Sequence, residues 1–106
     1  NLYAKNLYNF IVNLYDKEYK YLPRLLNGFA WRMTELGLLL PQALEKVNLA
    51  LKFGQDLKIL DTKAEVLWKL GRVDEALNVI NKCIQGDPDY KHYQDQREKF
   101  LKTKTI

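Results

Sequence analysis

Three observations predict an all-helical fold of paired, repeated helices for this 106-residue chain. Apolar residues recur at three- and four-residue steps along most of its length, which marks amphipathic helices. No window alternates apolar and polar strictly enough to form a strand. The third observation is internal repetition. "LLNGFAWRMTELG" and "ILDTKAEVLWKLG" place Leu26 against Leu60, Ala30 against Ala64, Met33 against Leu67 and Gly37 against Gly71, always 34 positions apart. Beyond the glycines the offset falls to 33, pairing Ala43 with Ala76, Leu44 with Leu77, Val47 with Ile80 and Ala50 with Cys83. Small residues repeat where two helices cross closely, and large ones repeat where they pack.

The elements follow in order. Tyr3, Leu7, Phe10, Ile11, Leu14 and Tyr15 form a stripe that predicts one long helix over 3–20. The next helix is expected over 23–36, ended by Gly37, and Pro41 suits the first turn of a helix over 41–53. Leu60, Ala64, Leu67 and Trp68 carry a helix over 57–70. Gly71 interrupts otherwise helical sequence at a cost of about 1 kcal/mol relative to Ala, so it is read as a turn between two helices. Asp74 and Glu75 then stand near the positive end of a helix over 73–85. Asp87-Pro88 stops that helix, because the residue before proline is pushed out of the helical region. The last helix, over 88–102, has Tyr90, Tyr93, Arg97, Phe100 and Leu101 on one face and charges elsewhere.

Composition agrees with one globular domain: 47% of residues are apolar and 28% charged. No run is long and apolar enough for a signal peptide or membrane span. The sequence opens on Asn1 rather than Met and reads as a fragment or processed product. A single cysteine excludes an internal disulfide framework. The net charge is +4, with lysines spread along the whole chain, the pattern of solvated helix faces. Nucleic-acid binding is therefore the weakest of the functional readings.

The periodicity, the glycines and the small residues together resemble the tetratricopeptide repeat, a pair of antiparallel helices with a period of about 34 residues. Counted from Leu57, the second unit supplies the family's pattern as Leu60, Ala64, Leu67, Gly71, Ala76, Ile80, Cys83 and Pro88. Counted from Pro23, the first supplies Leu26, Phe29, Ala30, Met33, Gly37, Ala43, Val47 and Ala50. It departs by one extra residue near Pro41 and by Gln55 in the place of the proline. The resemblance implies a short right-handed α-solenoid. In it an N-terminal helix (1–22) precedes repeats at 23–56 and 57–90, and a capping helix and tail (91–106) closes the last apolar face. "LNGFAWRM" and "LDTKAEVLWKLGR" also resemble the helical segment appended to some bacterial thioredoxin-like proteins, which implies that an upstream domain does the chemistry. No Cys-x-x-Cys is present here.

Candidate chemical groups are few. His92 is the only histidine and is expected on the surface of the last helix. Cys83 occupies a small packing position and is expected to be a buried structural thiol. Asp61 and Glu65, four apart, are expected on an exposed face near Lys58 and Lys69 rather than as an acid–base pair. No histidine pair, cysteine cluster or glycine-rich phosphate loop suggests a metal or cofactor, and no catalysis is expected.

A protein-interaction module is the favoured function. The resemblance implies a concave groove lined by the first helix of each unit, through Arg24, Asn27, Trp31, Thr34 and Glu35, then Lys58, Asp61, Glu65, Trp68 and Lys69. Helical spacing independently places Asp61, Glu65, Trp68 and Lys69 on one face. A peptide lying across Trp31 and Trp68, flanked by Arg24, Lys58, Asp61 and Glu65, is the expected ligand, and Asp61 and Glu65 would favour one with some basic character. Five tyrosines among the first 21 residues offer a second reading, self-association through the N-terminal helix.

Overall fold

A computed structural model describes residues 1–16 and 22–104, with side chains for 1–13 and 22–104. Its elements are six helices: α1 (Leu2–Asp16), α2 (Leu22–Leu36), α3 (Leu40–Leu51), α4 (Leu57–Lys69), α5 (Val73–Gly86) and α6 (Lys91–Lys104). No strand occurs among the described residues. The expected helices agree with these to within a few residues, except that the last part of the first, 17–20, lies outside the described residues.

The helix ends follow from the local sequence. Gly37 and Gly71 have φ of 69° and 82°, the left-handed conformation that side chains resist. At Gly71 the Arg72 N–H donates to the Leu67 carbonyl and the Gly71 N–H to that of Trp68, both at 2.9 Å. Gly37 and Leu38 repeat the arrangement on Thr34 and Met33. Both are Schellman caps, which satisfy carbonyls that the ending helix leaves free. The extra residue of the first unit is absorbed at Leu39, which takes φ 49° before α3. Gln55 donates its side-chain N–H to the Leu51 carbonyl. Asp56 caps α4 by accepting from the N–H groups of Lys58 and Ile59.

Packing joins each helix to the next, and also α2 to α4 and α4 to α6. The repeated residues form the core as ladders. Leu26, Leu60 and Tyr93 are buried, as are Met33, Leu67 and Phe100, so α6 adds a third rung displaced by 33 residues from α4. Ala30, Ala64, Ala43 and Ala76 are fully buried at the crossings, with Val47, Ile80, Ala50 and Cys83 between α3, α5 and their partners.

Two apolar stripes differ from expectation. On α1 the residues turned inward are Ala4 and Ile11, with Leu7 and Tyr8 half-buried, while Tyr3 and Phe10 are exposed. Among the described residues α1 packs its backbone against α2 and no other helix. Tyr8 completes the seat, with its ring 5.9 Å from that of Phe29 and 5.0 Å from Lys46 Nζ. At the last helix, Tyr90 lies just before α6 and is exposed, as is Arg97 on α6, and Gln96 is buried in their stead.

Candidate functional site

The ten residues expected to line one groove fall into two groups. On α4, Asp61 and Glu65 are not an exposed face: their side chains are only 11% and 12% exposed. They are covered by α6. Asp61 Oδ2 lies 2.8 Å from His92 Nε2, and Asp61 Oδ1 accepts from Gln96 at 3.1 Å. Glu65 accepts from Lys99 at 2.6 and 2.9 Å. His92 is accordingly half-buried rather than a free surface residue.

Trp68 is engaged by the same helix. Its indole N–H donates to Thr103 at 3.0 Å, its ring stacks on Phe100 at 5.8 Å, and Lys99 Nζ sits 4.3 Å from the ring centre. Lys69 approaches the ring from 5.5 Å and, like Lys58, is exposed. The pattern that betrays this latch is legible afterwards: His92, Gln96 and Lys99 follow helical spacing on α6 and complement the two carboxylates four apart on α4.

On α2 the residues are less uniformly committed. Thr34 is fully buried and donates its hydroxyl to the Ala30 carbonyl at 2.7 Å, so it presents nothing outward. Arg24 and Glu35 are exposed, and Asn27 and Trp31 half-buried. Asn27 Oδ1 is buried and meets no donor among the described residues. Trp31 and Trp68 therefore do not share one open groove, because α6 occupies the α4 half.

Sequence reasoning missed a different hollow, between α1 and α2. Tyr3, Phe10, Leu25, Phe29 and Arg32 are among the residues around an open groove of about 740 Å³. Arg32 reaches Glu35 across 3.7 Å, with both side chains 51% exposed. A hydrogen bond to Tyr3 above all, with a smaller contribution from Glu35, raises the Arg32 guanidinium above its ordinary value. A smaller hollow of about 480 Å³ lies on the other flank of α1, against Leu38 and Leu39.

The thiol is the one classical nucleophile, and it is silenced. Cys83 is fully buried, and burial first, then the Asp61 charge, pushes it up to about 12. Among the described residues no group of three or more histidine, cysteine or acidic side chains could hold a metal ion. No described helix is long and apolar enough to cross a membrane. No family model, curated protein or solved structure matches the chain.

Proposed function

We propose that this chain is a protein-interaction module of tetratricopeptide type, a short right-handed α-solenoid that binds a segment of another protein and performs no catalysis. The doubled 34- and 33-residue pattern supports the repeat reading, as does the neighbouring of α2 with α4 and of α4 with α6. The observation that carries the function is where apolar surface stays open. Of the six large apolar side chains exposed among the described residues, Leu2, Tyr3 and Phe10 belong to α1; Tyr3 and Phe10 line the α1–α2 groove, and Leu2 lines the smaller hollow on the other flank of α1. Contiguous exposed apolar surface on a soluble protein usually marks an interaction site. Of the expected groove residues, Arg24, Asn27, Trp31, Glu35, Lys58 and Lys69 remain candidates for partner contact. Asp61, Glu65, Trp68 and Thr34 are used within the fold.

Peptide display against the folded chain tests this reading. Peptides are expected to be enriched over the same selection on urea-unfolded chain, and to slow amide exchange in α1 and α2. Repeated selections that yield nothing specific to the folded chain would reject it. The same exposed residues favour a second reading, pairing of two copies through α1; Tyr15, Tyr19 and Tyr21 lie outside the described side chains. Sedimentation at several concentrations separates the two.

A further inference from the structure

Inside this chain, successive helices that are not hairpin partners cradle an earlier helix. The pair α3–α4 holds α2 against both its members, and α5–α6 holds α4 in the same way. The pair α1–α2 packs together like the other two pairs and, among the described residues, holds nothing. The 740 Å³ groove lies at that place.

We propose that this groove is a docking site for an amphipathic helix of a partner protein that carries carboxylates along one flank. The proposal rests on the interaction-module reading and gives it a location and a ligand chemistry. The ladder Met33, Leu67, Phe100 puts α2, α4 and α6 in register. Arg32 precedes Met33 as Lys99 precedes Phe100, and Lys99 holds Glu65 of the cradled α4 at 2.6 Å. Arg32 thus stands where a cation already grips a carboxylate of a docked helix one position along. By the same register Leu25 and Phe29 stand where α6 has His92 and Gln96. Phe29 is itself buried, so the partner helix meets Leu25 with the exposed Tyr3 and Phe10 where α4 meets polar side chains, and needs apolar residues opposite them.

Charge selects the occupant. Arg24 and Arg32 both line the groove, and no carboxylate lines it among the described residues. Arg32 is engaged chiefly by Tyr3 at the same groove, and its contact with Glu35, at 3.7 Å between half-exposed side chains, is weak enough to yield to a better-placed carboxylate. A second copy of this chain brings a net charge of +4 and fits these arginines poorly. A helix with an apolar stripe and an acidic flank fits both features, in the helix-in-groove mode of recognition.

Gly28 makes the test clean. It lines the groove, and a Cβ built there meets nothing within 4 Å. Gly28→Leu should leave the fold intact while filling the groove. The probes are a fluorescein-labelled 16-residue leucine–glutamate amphipathic peptide and its counterpart with lysine for every glutamate, followed by anisotropy. The acidic peptide should bind the wild-type chain at least about tenfold more tightly than the basic one. Gly28→Leu, checked for an unchanged or raised melting temperature, should weaken it about tenfold or more, and Arg32→Glu should reverse the preference between peptides. If the acidic peptide binds both variants like the wild type, the groove is not the site, although the interaction reading stands. If neither peptide binds the wild type, the docking proposal fails, and the display selection decides the broader reading separately. Sedimentation showing a dimer that Gly28→Leu dissociates would assign the groove to a second copy and overturn the partner assigned here.

Discussion

His92 Nε2 lies 2.8 Å from Asp61 Oδ2 and ties the last helix to α4 across 31 residues of sequence. Asp61 also accepts from Gln96, and neighbouring Glu65 from Lys99, so α6 is held by a polar latch as well as by Tyr93 and Phe100. The acceptor is the buried partner and the histidine the more accessible one, at 11% and 39% side-chain exposure. Removing the acceptor leaves His92 facing a void and Gln96 with only the longer 3.4 Å contact to Glu65. Asp61→Ala should therefore cost about 1–3 kcal/mol. His92→Ala leaves an acceptor that Gln96 and water still reach, so it should cost less. Urea denaturation of both variants checks the order, and equal midpoints would show that Asp61 is not the anchor.

Two glycines separate backbone conformation from packing. Gly28 sits inside α2 with open space around it, so Gly28→Ala should gain about 1 kcal/mol from helix propensity alone. Gly71 is equally uncrowded but has φ 82°, and Gly71→Ala should lose about 1–2 kcal/mol. Melting temperatures should move in opposite directions, by roughly 4–8 °C per kcal/mol for a domain of this size. A shift of the same sign in both would contradict the turn assigned to Gly71.

That turn was legible in the sequence because its cause is local: a poor helix former at the same place in two units, followed by a return helix. The alanine crossings and the Met33–Leu67 rung were legible for the same reason, since repetition reports packing without structural knowledge. The latch was not. Asp61 and Glu65 draw His92, Gln96 and Lys99 inward from 31 to 35 residues away, and no local period carries that information. The face expected over 88–102 therefore included Tyr90 and Arg97, whereas Tyr90 precedes α6 and Arg97 turns outward to donate to Asn81 at 3.2 Å. The α1–α2 groove escaped for the converse reason. Its apolar letters look like core, yet among the described residues Tyr3 and Phe10 are exposed.

Stability should fall in alkaline solution, with a recognisable contribution from one thiol. Burial, and secondarily Asp61, pushes Cys83 up from 9.0 to about 12. Burial, with Cys83 and Asp61 behind it, pushes Tyr93 up from 10.0 to about 12. Both groups are neutral in the folded and unfolded chain well below pH 9, so their full contribution is present there. Above that, the unfolded chain releases the Cys83 proton while the folded chain retains it, and stability is lost as pH rises towards about 12. Cys83→Ala should delay the first part of the decline until tyrosine titration begins. Urea midpoints from about pH 7 to about pH 11 test this, and superimposable profiles for wild type and variant would refute it.

The last helix should behave as part of the core rather than as a tail. It buries Tyr93 and Phe100, covers Asp61 and Glu65, and lays Phe100 against the Trp68 ring. Phe100→Ala should cost about 3–5 kcal/mol, since a fully buried ring is lost from a seat with little freedom to collapse. In a Trp31→Phe background the remaining emission reports Trp68 alone, and it should shift to the red in Phe100→Ala. Ending the chain after Asp87 should go further, because two carboxylates lose their donors and the residues packed against the buried Tyr93 and Phe100 lose their cover. That shortened chain should unfold at lower urea and associate at concentrations where the full chain does not. If it keeps the full-length midpoint and sediments as a monomer, α6 neither caps the helices nor closes the α4 face, and the groove lined by Asp61, Glu65 and Trp68 is open after all.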